Sequence, residues 1–451
     1  MAYLGNTPTT QSFISGTDYF NGTGSQTAFT LSRTVASVND IQAVVNNVVQ
    51  QPNDAYTISG TTITFTSAPS SGTNNVYVRY LSTTTQSITP SQNTVSYSTL
   101  NSDNQSKLGI SFKNRIINGA MVISQRYGTS AVSDAANIYV LDRWTSIASV
   151  SNKFSVGQYT NAPTGFVNSL GVSSNSSYTV LTGQAFVLQQ AIEGYNVADL
   201  NWGTANAKTV TLSFQVYSSL TGTFGGVITN SAQNRSFPFT YTIASANTWT
   251  PATVTITGDT SGTWLTTNGI GLSVFFGLGV GASLSGTAGA WAGATYYSAT
   301  GATSVVGTNG ATFYITGVQL EVGSTATSFD YRPYGTELAL CQRYYVQFLG
   351  SNAYEQLCIG MSSTNQNGYC VVPLPVTMRS TPTLTYSTVS TTLRWTQLDN
   401  SFNGTAIAID QSSTKTPQIY LTVASGMTSY RTGFITANNS TSAYVGFSSE
   451  L

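Results

Sequence analysis

Toward the C-terminus, side chains able to stack on a ligand or hydrogen-bond to it gather in three short stretches. Arg394, Trp395, Asp399, Asn400 and Asn403 form one, Asn365, Asn367 and Tyr369 a second, and Asn438, Asn439 and Tyr444 a third. Amides and short polar groups exchange hydrogen bonds with hydroxyls, while aromatic faces take flat apolar ones. The chemistry expected is therefore reversible recognition of a hydroxylated ligand. Covalent catalysis is poorly served. The chain has no histidine, which removes Ser-His-Asp and Cys-His nucleophiles, histidine metal sites and histidine proton transfer. Glycoside hydrolysis needs two carboxylates at a set separation, one of them with a raised pKa. Of 16 acidic residues, Glu193 with Asp199 and Asp399 with Asp410 are neighbours only along the sequence. No catalytic residue, metal ligand or cofactor is assigned.

These stretches must be held by a scaffold, and composition describes it. Tyr (26) and Gly (41) are abundant, which points to many short strands joined by tight turns. Charged residues make up 7% of the chain, against roughly 25% in an average domain. The formal net charge is zero, so nucleic acid and anionic lipid are not expected partners. One segment departs from this background. Residues 329–345 hold Asp330, Arg332, Glu337 and Arg343 together with a helical signal over 337–345. We read it as a structural hinge between β domains, with its four charges paired at domain or subunit contacts. Sugar stacking on the flanking Tyr331 and Tyr334 is the alternative. Asp142, Arg143 and Trp144 read as a local ion pair beside a core anchor.

Three cysteines without a CxxC do not describe a disulfide framework; they read as small buried apolar side chains in a reducing cytoplasm. Residues 261–320 carry no charge, as a membrane span would. The frequent Gly, Ser and Thr over 269–294 favour instead a sandwich strand followed by a glycine-rich loop, and no membrane insertion. The N-terminus lacks the basic and apolar regions of a signal peptide.

At roughly 150 residues per domain, 451 residues suggest about three domains. The expected fold class is all-β, with tandem β-sandwich or jelly-roll domains and one short helix. Residues 1–82 form a small β domain in which Asn46-Asn47 turns a tight hairpin. Residues 83–113 are a polar linker, 114–332 a jelly roll, 333–345 the junction, and 346–451 a C-terminal β-sandwich.

Arg115-Ile-Ile-Asn-Gly-Ala-Met-Val-Ile-Ser-Gln-Arg126, Leu141-Asp-Arg-Trp144 and Val318-Gln-Leu-Glu-Val-Gly323 give the middle domain its family likeness. It resembles the carbohydrate-binding-like jelly rolls of bacteriophage tail fibres. The sequel from Ser328 to Tyr345 is similar to the segment that follows the jelly roll in those proteins. The opening, from Ala2 to Leu81, resembles the virion-anchoring domains of fibres from short-tailed marine phages. The resemblance implies a homotrimeric virion appendage made in the host cytoplasm. Residues 1–82 would dock on another virion protein, and the C-terminal tip would bind host surface polysaccharide without cleaving it. A head fibre or decoration protein, and a polysaccharide depolymerase, are the alternatives.

Overall fold

The computed structural model describes residues 16–81, 112–133, 138–348, 350–398 and 400–451. The chain forms two compact units, residues 1–99 and 100–451. Most of the expected linker lies outside the described residues, as do residues 1–15 and Asp399.

In the first unit a four-stranded sheet faces a three-stranded one. Period-two alternation along Gly72–Tyr80 turns Val76, Val78 and Tyr80 inward, against Phe29, Ile41, Tyr56 and Ile63. Asn46 and Asn47 take φ of 51° and 65° between Ile41–Val45 and Val48–Val49. A two-residue hairpin turn of this hand requires positive φ at both positions, and asparagine adopts it at low cost.

The second unit is built on two six-stranded antiparallel sheets. One runs Ser236–Ile243, Gly222–Asn230, Ile270–Val280, Ala185–Glu193, Trp144–Ala148 and Ile138–Leu141. The other runs Thr250–Ile256, Val210–Ser218, Thr312–Val322, Ser169–Ser174, Phe154–Tyr159 and Val132–Ser133. Leu188, Phe214, Phe276, Phe313 and Trp144 pack between them. The central strand Ile270–Val280 is covered on both faces. Leu272, Val274 and Phe276 join the main core, while Phe275 lies beneath Tyr296 and Tyr297 of the following loop. Burial on both sides accounts for the lack of charge along this strand, because neither of its faces meets water. Among the described residues no helix is long and apolar enough to cross a membrane. Two strands at one edge of the sandwich each carry a proline, Pro238 and Pro251.

Pro333 opens the helix Tyr334–Gln342 with φ −54°, so the helix begins about one turn earlier than the leucine and alanine pattern suggested. A second helix, Val389–Thr392, is a single turn. Beyond the junction, Gln356–Ser362, Asn367–Val371, Gln418–Val423, Asn400–Gln411, Leu393–Gln397 and Thr432–Ala437 close into a barrel. A three-stranded sheet (Tyr345–Phe348, Val445–Ser448, Thr383–Tyr386) accompanies it. Alternation marks which side chains point inward, and it reads alike for two open sheets and for a sheet closed on itself. The described residues are thus all-β apart from short helical turns.

Two local expectations are corrected. Cys358 and Cys370 form a disulfide with Cα atoms 6.1 Å apart, while Cys341 is a free buried thiol. The two half-cystines lie on neighbouring antiparallel strands, where Gly360, two residues beyond Cys358, is the one that opposes Cys370. Asp142 and Arg143 are not each other's partners. They occupy the turn between Ile138–Leu141 and Trp144–Ala148, with Arg143 at φ 69°, and their side chains diverge. Asp142 accepts the Gln125 backbone N–H at 2.7 Å, whereas Arg143 pairs with Glu450 and lies 3.7 Å from the Tyr344 ring centre.

Candidate functional site

The strand Thr312–Val322 carries the groups that place the segment after it. Its buried Gln319 accepts the Asp330 backbone N–H at 2.8 Å, and Glu321 accepts Thr327 N–H at 2.8 Å. Held in this way, Phe329 and Tyr331 lie on one side of the extended segment with ring centres 4.9 Å apart. Phe166, from the loop before Ser169–Ser174, meets both rings at 5.2 and 5.5 Å. Gly317 makes room for it. A Cβ there would sit 2.6 Å from the Phe166 ring, and φ of +61° suits glycine.

The three rings wall a cleft of about 180 Å³. Its sides come from residues 114–122, 165–167 and 329–337, with Val122 and Ala120 adding apolar surface. Tyr331 and Tyr334 stand at its mouth, 59% and 63% exposed. The Tyr331 hydroxyl donates to the Gly165 carbonyl at 2.8 Å and so fixes the ring. An exposed, immobilised aromatic face over an apolar hollow suits the C–H face of a sugar ring.

Charges line one side of the cleft. Arg332 is the hub, donating to the Asn114 carbonyl, to the Ile116 carbonyl at 3.1 Å and to Glu337 at 3.3 Å. Its Nε lies 4.0 Å from the Asp330 carboxylate. Glu337 also accepts the Asn118 backbone N–H. Arg343, just past the end of the helix, forms a two-pronged pair with Glu193, Nε to Oε2 at 2.9 Å and Nη2 to Oε1 at 2.5 Å, and the Tyr344 hydroxyl donates to Oε2 at 2.7 Å. Burial alone raises the Glu193 carboxyl, but the Arg343 and Tyr344 hydrogen bonds outweigh it and hold the group below the usual carboxylate value. All four junction charges are thus engaged with sandwich or junction groups. Glu193 and Asp199, neighbours along the sequence, have separate partners, with Asp199 bound to Arg115 at 2.8 Å.

The barrel gathers some of the expected tip residues and leaves others apart. Arg394 and Asn403 are opposed across neighbouring strands, and the Asn438 amide donates to Asn403 at 3.1 Å. Arg394 lies 4.7 Å from the ring centre of exposed Tyr354, which the sequence reading missed. Trp395 is wholly buried, with Gly368 and Gly433 against its indole. It is a core residue in place of the contact proposed for it, because alternation along its strand turns it opposite to Arg394. Tyr369 opposes Tyr420, ring centres 5.3 Å apart. Asn367 accepts the Thr422 hydroxyl at 3.0 Å. Asn365 and Asn439 are exposed in turns, Asn400 opposes Gln397, and Tyr444 bonds through its backbone N–H to Ser387. Asp399 lies outside the described residues. The cleft itself is built from chain segments far apart in sequence. Its one sequence signal is the Phe-Asp-Tyr-Arg-Pro-Tyr spacing, which sets Phe329 and Tyr331 on the same side.

No family model and no curated protein matches the chain. Among solved structures, it is similar to the enzymatically active domain of tailspike protein 4 from bacteriophage CBA120. The identity there is 13% and the TM-score 0.26, over 47% of this chain and 22% of that one. The family 11 carbohydrate-binding module of a Clostridium thermocellum cellulosomal cellulase is 12% identical over 45% of this chain and 98% of its own, TM-score 0.22. A xylan-binding domain from Paenibacillus barcinonensis is 8% identical over 45% and 99%, TM-score 0.23. At these values the likenesses assign neither a family nor a function.

Proposed function

We propose that this chain is a virion appendage of the tail-fibre kind, a homotrimer that attaches a tailed phage to its host by binding surface glycan without cleaving it. Residues 1–82 anchor it to another virion protein. The sandwich and barrel present the host-binding surfaces. The observation that carries the reading is the aromatic cleft, where Tyr331 and Tyr334 stand exposed over Phe166 and Phe329 with hydrogen-bonding carboxylates alongside. The Arg394, Asn403, Asn438 and Tyr354 cluster on the barrel supplies a second polar and aromatic surface. Single contacts of this type are weak, and three chains per fibre raise the apparent affinity through effective concentration.

The carboxylates of the cleft favour adhesion over hydrolysis. Glu337 is engaged by the Arg332 guanidinium and a backbone amide, and Asp330 accepts the Asn114 backbone N–H at 3.3 Å. Both serve as fixed acceptors. The test is adsorption of the purified chain to host cells, with Tyr331→Ala/Tyr334→Ala as the variant. Adhesion should fall by roughly tenfold or more, as expected for losing two stacking faces. Unchanged adhesion moves recognition to the barrel. Release of reducing ends from host polysaccharide would replace the adhesin with a depolymerase, and labelling on the particle separates tail from head attachment.

A further inference from the structure

We propose that the cleft selects uncharged sugars and rejects uronates, sialates and sulfated sugars; this rests on the glycan-binding reading above. Its described lining holds two carboxylates, Asp330 and Glu337, and one guanidinium, Arg332. That guanidinium has no free face for a ligand. Its side chain is 5% exposed, its Nη groups donate to the Asn114 and Ile116 carbonyls and to Glu337, and its buried Nε, which has no hydrogen-bond acceptor, lies 4.0 Å from the Asp330 carboxylate. An incoming anion would meet an excess of carboxylate with no available cation among the described residues of the cleft. A cleft this apolar also screens such a repulsion poorly. A neutral pyranose escapes this repulsion. Its C–H face lies on Tyr331 or Tyr334, its hydroxyls donate to the Asp330 carboxylate, and any methyl or acetyl substituent turns toward Phe166 and Phe329. Selection arises from a repulsive element built beside the attractive one, which separates ligands of similar size and shape.

The experiment applies the full-length protein to a broad glycan array, with dextran, mannan, polygalacturonate and heparin as solution probes, beside the Tyr331→Ala/Tyr334→Ala variant. Binding that depends on the two tyrosines should be confined to uncharged glycans. Matched anionic sugars should bind at least ~tenfold more weakly at low ionic strength, with the gap narrowing as salt screens the repulsion. Tyrosine-dependent binding of uronates or sulfated sugars at equal strength overturns the selectivity and leaves the glycan reading intact. Absence of tyrosine-dependent binding to any glycan overturns the glycan reading of the cleft, and the selectivity with it.

Discussion

The Arg343–Glu193 pair ties the junction helix to the end of a sandwich strand, and its two halves are buried unequally. Glu193 is 1% exposed and Arg343 33%. Removing either partner leaves the other behind, so the cost depends on which orphan stays dry. In Arg343→Met the apolar stem is kept and the Glu193 carboxylate is left buried. It then retains the Tyr344 hydroxyl and a longer-range attraction to Arg379. A stranded buried charge of this kind costs about 3–5 kcal/mol. In Glu193→Gln the orphan is a guanidinium one-third exposed, which water reaches, and the amide still accepts one hydrogen bond. Its cost should be about 1–2 kcal/mol. Asp199→Asn, in the open pair with Arg115, where Asp199 is 46% exposed, should cost less than about 1 kcal/mol. Equilibrium urea unfolding of the three variants reads these differences directly. The pH dependence adds a second check. The folded carboxyl of Glu193 titrates below its unfolded value, so its contribution is complete above the ordinary carboxylate pKa and disappears as pH falls through the lowered folded value. Arg343→Met should remove that acid-side loss. Equal costs for Arg343→Met and Glu193→Gln, or an unchanged acid limb, would refute the asymmetry argument.

Three further outcomes are expected. Cys358→Ser, which opens a cross-link between residues twelve apart, should destabilise the protein by about 2–3 kcal/mol, and a reductant should have the same effect on the parent in thermal melts. Gly317→Ala should cost about 2 kcal/mol from its left-handed backbone and the displaced Phe166 ring, and should weaken glycan adhesion as the cleft wall shifts. Tyr331→Ala/Tyr334→Ala should weaken adhesion with a melting temperature within about 1–2 °C of the parent, since both side chains are largely exposed.

What could be read from the sequence was local. The abundance of Tyr and Gly marked short strands and tight turns, and Asn46-Asn47 marked a hairpin, because these depend on composition and on neighbours a few residues away. The helix was legible as an element, and its start shifted because Pro333 sets the first turn whatever the leucines do. Pairing was not legible. Arg343 meets Glu193 across a separation of 150 residues, and Phe166 meets Phe329 across a similar gap. Nothing in either segment names the other. Cys358 and Cys370 sit on neighbouring strands whose pairing the cysteine spacing does not reveal. The cleft was only partly legible for the same reason: Tyr331 and Tyr334 could be named as stacking candidates, but Phe166 joins them only when separate segments converge. At the tip, alternation could have separated buried Trp395 from surface Arg394.

The prolines at the sandwich edge bear on how many copies can be crowded together. An edge strand offers unpaired backbone groups to any neighbour, and a chain with zero net charge lacks the general repulsion that keeps copies dispersed. Pro238 and Pro251 withdraw one donor from each of the two strands, and the loop at Gly289 and Ala292 donates to the carbonyls of Pro238 and Ser236. The barrel, being closed, offers no edge. Two of the sandwich's edge strands are therefore guarded by steric and hydrogen-bond blocking at a few backbone positions, so loss of either proline should raise self-association through that edge.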